Sequence, residues 1–212
     1  MYVPKHFAEE RSEVLHAAIA RTGLATLVTL GPDGLIATHL PLLLDVTAGP
    51  LGTLYGHVAR GNPQWRDFNP TVDALAIFLG PEAYVSPSWY ATKRENARVV
   101  PTWNYLTVHA YGSLRTFDDA DRLRAHVTRL TDRQEAPRDD RWRVSDAPGD
   151  FVDGMLKGIV GLELPITRLE GKWKMSQNRP AADQQGAIVG LEATGRPPEQ
   201  AVAEVMRSYL TD

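Results

Sequence analysis

Half of the tryptophans and tyrosines of this chain stand in one stretch. The segment Tyr84 to Tyr111 reads YVSPSWYATKRENARVVPTWNYLTVHAY. It interleaves Tyr84, Trp89, Tyr90, Trp103, Tyr105 and Tyr111 with Ser86, Ser88, Thr92, Lys93, Thr102, Asn104 and His109. Aromatic rings mixed with hydroxyls and a cation suit a surface that grips a flat ring with polar edges. A loop tucked over a core is the plainer reading of the same residues. A second candidate is the run from Tyr55 to Arg66. His57 stands near the end of an expected strand, Arg60 and Gly61 follow it, and Asn62-Pro63 reads as a helix start with Asn as cap. Such a corner puts free N–H groups beside Arg60, an arrangement that cradles phosphate. The competing reading is an ordinary capped helix whose arginines face water. A third cluster, Lys172 to Arg179, follows an apolar strand and is read as too polar for core. Its alternative is a solvated strand end.

Other chemistries find less support. The chain contains no GxGxxG and no GxxxxGK[ST], which argues against Rossmann and P-loop nucleotide sites. It also lacks GxSxG and HExxH. With no cysteine there is no disulfide, thiolate metal site or cysteine nucleophile. A reducing cytoplasm is the expected compartment, and the N-terminus lacks the apolar core of a signal peptide. His39, His57 and His109 fall on three expected strands that could converge. Glu163 interrupts an apolar strand. If buried it needs an Arg or Lys partner, and an exposed position is the simpler expectation. The net charge of −3 argues against a general nucleic-acid surface. The arginines between Arg122 and Arg143 alternate with Asp, as on a solvated helix face.

The elements that must position these residues follow from periodicity and turn signals. Strands are expected at 24–30, 35–45, 53–59, 74–79, 106–117 and 159–175. Helices are expected at 9–21, 118–134, 150–157 and 197–210. Grouped strands with marginal helices indicate an α+β class, and about six antiparallel strands suggest a barrel. Apolar content of 43% over 212 residues, without a linker or repeat, fits one soluble domain over 1–212 with no membrane span.

Long motifs also resemble a known family. YVPKHF at the start, HLPLLLD from His39, GHVARGNPQW from Gly56 and GPEAYVSPSWY from Gly80 are similar to the PaiB-type FMN-binding proteins, a family described as negative transcriptional regulators. VVPTWNYLTVHAYG from Val99 and GIVGLELPITRLEGKWKMSQNR from Gly158 extend the resemblance over nearly the whole chain. It implies an FMN-binding split β-barrel related to the pyridoxamine-phosphate oxidase-like proteins, usually a homodimer with flavin at the interface. On that resemblance Thr38, His39, Leu40 and Pro41 run along the flavin ring. His57, Arg60, Asn62 and Trp65 meet the phosphate. Ser86, Trp89, Tyr90 and Lys93, then Trp103, and then Lys174, Gln177 and Arg179 are the groups a partner copy supplies. A flavin-linked regulator or redox sensor is the implied role, with direct DNA contact open. A small FMN-dependent oxidoreductase using a nicotinamide donor is the alternative. A haem-binding protein, with His39, His57 or His109 on iron, ranks third.

Overall fold

The computed structural model describes residues 1–210. Its strands are β1 (Ala8–Glu9), β2 (Ala25–Gly31), β3 (Gly34–Leu40), β4 (Leu43–Asp45), β5 (Thr53–Ala59), β6 (Ala74–Val85), β7 (Thr102–Gly112), β8 (Arg115–Phe117) and β9 (Ile159–Lys174). Its helices are α1 (Ser12–Arg21), α2 (Gln64–Asp67), α3 (Thr92–Asn96), α4 (Ala120–Glu135), α5 (Gly149–Leu156), α6 (Ala181–Ala193) and α7 (Pro197–Ser208). The strands follow the order β3-β2-β6-β7-β9-β5-β4, with β1 and β8 added alongside β9. The six long strands are those expected from the sequence, and the pairings β2–β3, β2–β6 and β5–β9 are antiparallel.

Three expected boundaries are corrected. The strand expected over 35–45 stops at Leu40 and resumes as β4. Pro41 has no N–H to give a ladder, so the break falls there. The strand expected over 74–79 continues to Val85 through Gly80-Pro81. At Gly80 an added Cβ would stand 1.8 Å from the Leu106 side chain, so the glycine permits close strand approach and does not end the strand. The strand expected over 106–117 begins at Thr102 and divides into β7 and β8. The expected aromatic loop therefore contains the end of β6, a 3₁₀ turn at Pro87–Trp89, α3 and the start of β7.

The chain forms two compact units: residues 1–21, 78–109 and 170–212 in unit 1, and residues 22–77 and 110–169 in unit 2. In unit 2, Leu123, Val152 and Leu156 form a buried cluster with Phe117, Val127, Val144 and Ile159 packed against it. Asp119 caps α4 by accepting the Arg122 N–H at 2.9 Å. In unit 1 the core includes Leu15, Ile19, Phe78, Val108, Trp173, Met175, Ile188, Leu191, Val202 and Met206. Helix α6 has no counterpart among the expected elements. Its Gly186 and Gly190 disfavour a helix in isolation. An added Cβ on Gly186 would stand 2.1 Å from the Trp89 carbonyl oxygen, and one on Gly190 2.2 Å from the Trp89 ring. The helix is specified by packing, not by propensity.

Candidate functional site

The β5–α2 corner of unit 2 is built as expected in sequence but is tied down more tightly than a phosphate cradle. Helix α2 is a single turn. Its partial charge is correspondingly small. Asn62 does act as a cap: its Oδ1 accepts the Gln64 N–H at 2.9 Å, while its Nδ2 donates to Thr38 Oγ1 at 3.0 Å. The structure thus brings Asn62 and Thr38 together. Trp65 donates from Nε1 to the Arg60 carbonyl at 3.0 Å, which staples the corner. Arg60 donates from Nε to the Lys157 carbonyl at 2.9 Å and from Nη2 to the Ile159 carbonyl at 3.1 Å. Its Nη1 lies 3.9 Å from Asp118. A hollow of 520 Å³ adjoins it, lined by Arg60, Lys157, Asp118, Asp153, Leu123 and Leu156. Two cations there face two carboxylates.

Gln64 is the residue that sequence reasoning missed at this corner. It is 1% exposed. Its Nε2 donates to the Leu27 carbonyl at 3.2 Å, Thr29 Oγ1 at 3.0 Å and the Ile36 carbonyl at 3.2 Å, bridging β2 and β3. Its Oε1 is buried without a hydrogen-bond partner among the described residues. No local pattern marks it, because its partners stand 28 to 37 positions away.

The histidines are arranged otherwise than expected. His57 Nδ1 stands 3.1 Å from Nε2 of His126 on α4, the rings edge to face. Burial pushes His57 down, and burial together with His57 and Arg129 pushes His126 down to about 4. Both rings are neutral near pH 7, one donating and one accepting. His39, on the exposed face of β3, bonds through Nδ1 to Thr26 Oγ1 at 2.9 Å. Leu40 is buried and Pro41 half-buried beside it. Glu163 is partly exposed and takes Arg122 at 2.7 Å and Arg115 at 3.7 Å. The α4 arginines are compensated similarly: Arg124 by Asp153 and Arg129 by Asp45.

In unit 1 the aromatic segment divides into buried and open rings. Tyr90 is 1% exposed, with the Arg179 guanidinium 4.9 Å above its ring, and burial pushes its phenol up. Trp89 lies against Gly190, so α6 covers one part of its ring. The Ser86 side chain accepts the Ser88 N–H at 3.2 Å and shapes the turn, and Lys93 donates to Ser88 Oγ at 3.0 Å. Trp103 stays 53% exposed and meets Tyr84 edge to face at 6.2 Å. The Lys172–Arg179 cluster is not a solvated strand end: Trp173, Met175 and Ser176 are buried and Lys172 is 9% exposed. Alternation along β9 turns Trp173 into the core while Lys172 and Lys174 share the opposite face. Gln177 closes the strand end by accepting the Met175 N–H at 2.8 Å and donating to the Trp173 carbonyl at 2.6 Å. Lys174 donates to Thr102 Oγ1 and to the Trp103 carbonyl.

Comparison with known proteins gives the family of the chain. Residues 1–168 match the family model described as "Putative FMN-binding domain". The chain belongs to this family. It is 36% identical over 210 residues to "Protease synthase and sporulation protein PAI 2" of Bacillus subtilis, covering 99% of this chain and 98% of that protein. Among solved structures it resembles the flavocytochrome Anf3 of Azotobacter vinelandii, with TM-score 0.56 and 13% identity over 81% of this chain and 72% of that one. It also resembles the FAD and haem binding protein of Mycobacterium smegmatis, with TM-score 0.55 and 15% identity over 85% and 79%. The fold is the split barrel expected from the sequence, and FMN is the cofactor of the family. Each unit offers features that suit such a group: in unit 2 the buried Gln64 Oε1 has no hydrogen-bond partner among the described residues, and in unit 1 Trp103 and Tyr84 keep exposed aromatic faces.

Proposed function

We propose that this PaiB-type protein is a flavin-linked redox or ligand sensor, acting as a homodimer in the cytoplasm, whose effect on transcription is indirect. The observation that carries this reading is how charge is distributed. Three of the four arginines of α4 that suggest a nucleic-acid patch face carboxylates: Arg122 meets Glu163, Arg124 meets Asp153 and Arg129 meets Asp45. Phosphate-binding surfaces for DNA need cations free to displace counterions. The aromatic and lysine-bearing side of unit 1 instead suits one small, flat, anionic molecule. FMN, when bound, supplies transfer of one or two electrons. In this reading Thr38, His39, Leu40 and Pro41 of unit 2 border the ring, and Asn62 with His57 and Trp65 shapes the neighbouring corner. The partner copy of the proposed homodimer supplies polar and aromatic contacts from Ser86, Lys93, Trp103, Lys174 and Arg179, with Trp89, Tyr90 and Gln177 holding them in place.

The absorbance of purified protein, followed by FMN titration and by anisotropy of labelled promoter fragments at physiological salt, tests this. Flavin binding with no DNA binding is expected. Tight, salt-sensitive DNA binding by flavin-free protein would replace sensing by direct repression. The relatives named for haem raise a second reading. It is less favoured, because the family model that matches residues 1–168 is described as FMN-binding. Among the described residues no group of three or more His, Cys, Asp or Glu is placed to hold a metal ion. No helix among them is long and apolar enough to cross a membrane.

A further inference from the structure

Among its described residues, unit 1 holds three cations, Lys172, Lys174 and Arg179, outside ion-pair reach of any carboxylate. Lys172 is 9% exposed, and among the described residues its ammonium donates to the Tyr2 carbonyl, at 3.1 Å. The same ammonium lies 5.7 Å from the Tyr2 ring and 5.3 Å from the Tyr105 ring. Lys174, two residues on and on the same strand face, has a hydroxyl and a carbonyl as its partners. Arg179 rests over Tyr90. Among the described residues none of these three cations forms an ion pair. The acids on neighbouring segments are engaged elsewhere. Glu9 takes the Arg11 guanidinium at 2.7 Å, Glu170 takes the Met1 amine at 2.5 Å, and Asp183 accepts the Thr92 N–H through Oδ1 at 2.9 Å, while its buried Oδ2 has no hydrogen-bond partner among the described residues and forms no ion pair with these cations.

Lys172 is buried and Lys174 and Arg179 are half-buried, and like charges gathered where water is partly excluded are costly unless something of opposite sign joins them. The depressed proton affinity of Lys174, caused by burial and then by Lys172 and Arg179, reports that cost. Beside the lysines stands an aromatic platform. Trp103 is 53% exposed and braced by Tyr84, itself 44% exposed. The Trp103 carbonyl is held by Lys174, so platform and cation are fixed to one another.

The geometry points to a seat for an oxyanion, phosphate or carboxylate, borne on a flat aromatic ring, with Lys172 and Lys174 holding the anion and Trp103 stacking on the ring. The inference rests on the flavin reading for one of its two sources: the phosphate of FMN itself, or a separate aromatic acid that the flavin protein senses or acts on. Charge-assisted hydrogen bonds from two ammonium groups would favour the anion over its neutral counterpart by roughly ten-fold or more.

The test uses full-length protein and two matched pairs of probes: FMN with riboflavin, and 1-naphthyl phosphate with 1-naphthol. Binding is read by tryptophan fluorescence and calorimetry at about 0.1 M salt. Wild type, Lys174→Gln, Lys172→Gln and Trp103→Phe are compared, each checked by circular dichroism. The expected result is a preference for the phosphorylated member that falls about ten-fold in the lysine variants, with binding of the neutral member unchanged. Trp103→Phe should lose the fluorescence change. Loss confined to the FMN pair makes the cofactor phosphate the occupant, and loss confined to the naphthyl pair makes it a separate ligand. Wild-type preference retained by both lysine variants, or no preference in wild type, overturns the proposal. If Lys172→Gln does not fold, the less buried Lys174→Gln decides alone. Wild type that binds naphthyl phosphate but no FMN would sink the flavin reading and leave the oxyanion seat standing.

Discussion

The partly buried ionisable groups around the unit 2 corner and the lysines at the end of β9 in unit 1 are held in different ways. In unit 2 they are neutralised from within. His57 and His126 share a hydrogen bond as uncharged rings, Arg60 has Asp118 at 3.9 Å besides its two backbone carbonyls, and Glu163 sits between two arginines. In unit 1, the partners of Lys172 and Lys174 are carbonyls, a hydroxyl and aromatic rings. The first pattern favours stability in the absence of any ligand. The second leaves an electrostatic deficit that a bound anion would relieve. A cation near a helix start is therefore weaker evidence for an anion site than a cation whose partners are all neutral.

The largest expected effect comes from the histidine pair. The folded affinities of both rings for protons lie below the unfolded value near 6.5, so the unfolded chain takes up more protons between about 4 and 6.5. Stability is fully present above that window and falls with acidification, by up to about 3 kcal/mol. Glu9 and Asp45, whose carboxyls are held down by Arg11 and by Thr47, lose their contribution only below the ordinary carboxylate range. Denaturant midpoints between about pH 5 and 7.5 isolate the histidines. His126→Gln should flatten the profile, whereas a variant as acid-sensitive as wild type would remove the pair from the comparison.

A smaller loss is expected from Arg60→Ala. Two carbonyl acceptors lose a charged donor, at a cost of about 1.5–3 kcal/mol in the urea midpoint. FMN affinity should move little. Unchanged stability with a flavin affinity at least about ten-fold weaker would make Arg60 an anion-binding group and erase the contrast between the units.

Most of the sheet was legible from the sequence, because alternation and turn residues act locally. The six long strands were found, and Asn62 was recognised as a cap from its neighbours alone. What stayed hidden depends on distant partners. Arg60 meets carbonyls 97 and 99 positions away. Helix α6 exists because its glycines admit Trp89, a fact that helix propensity reads with the wrong sign. Lys-Trp-Lys at 172–174 resembles a wet strand end. The burial of Lys172 appears only once β1 is paired alongside it, Ala8 opposite Lys172. The family resemblance supplied the cofactor, but neither its motifs nor its name distinguishes a structural arginine from one that meets a ligand.

The smallest effect tests the unit 1 charge most directly. Lys174 holds its proton less tightly in the folded protein than in the unfolded chain, through burial, Lys172 and Arg179. The unfolded chain therefore binds more protons just below the ordinary lysine value, and stability should rise slightly with pH in that window. Tyr55 and Tyr90, pushed up by burial, act in the opposite sense at higher pH, so the useful range is about pH 8.5 to 10. Lys174→Gln should abolish the rise. Saturating 1-naphthyl phosphate should reverse it, because an anion beside the ammonium raises its proton affinity and makes deprotonation costly. A pH slope indifferent to that ligand would mean that Lys174 does not face the anion, and the lysine pair would join the internally compensated charges of unit 2.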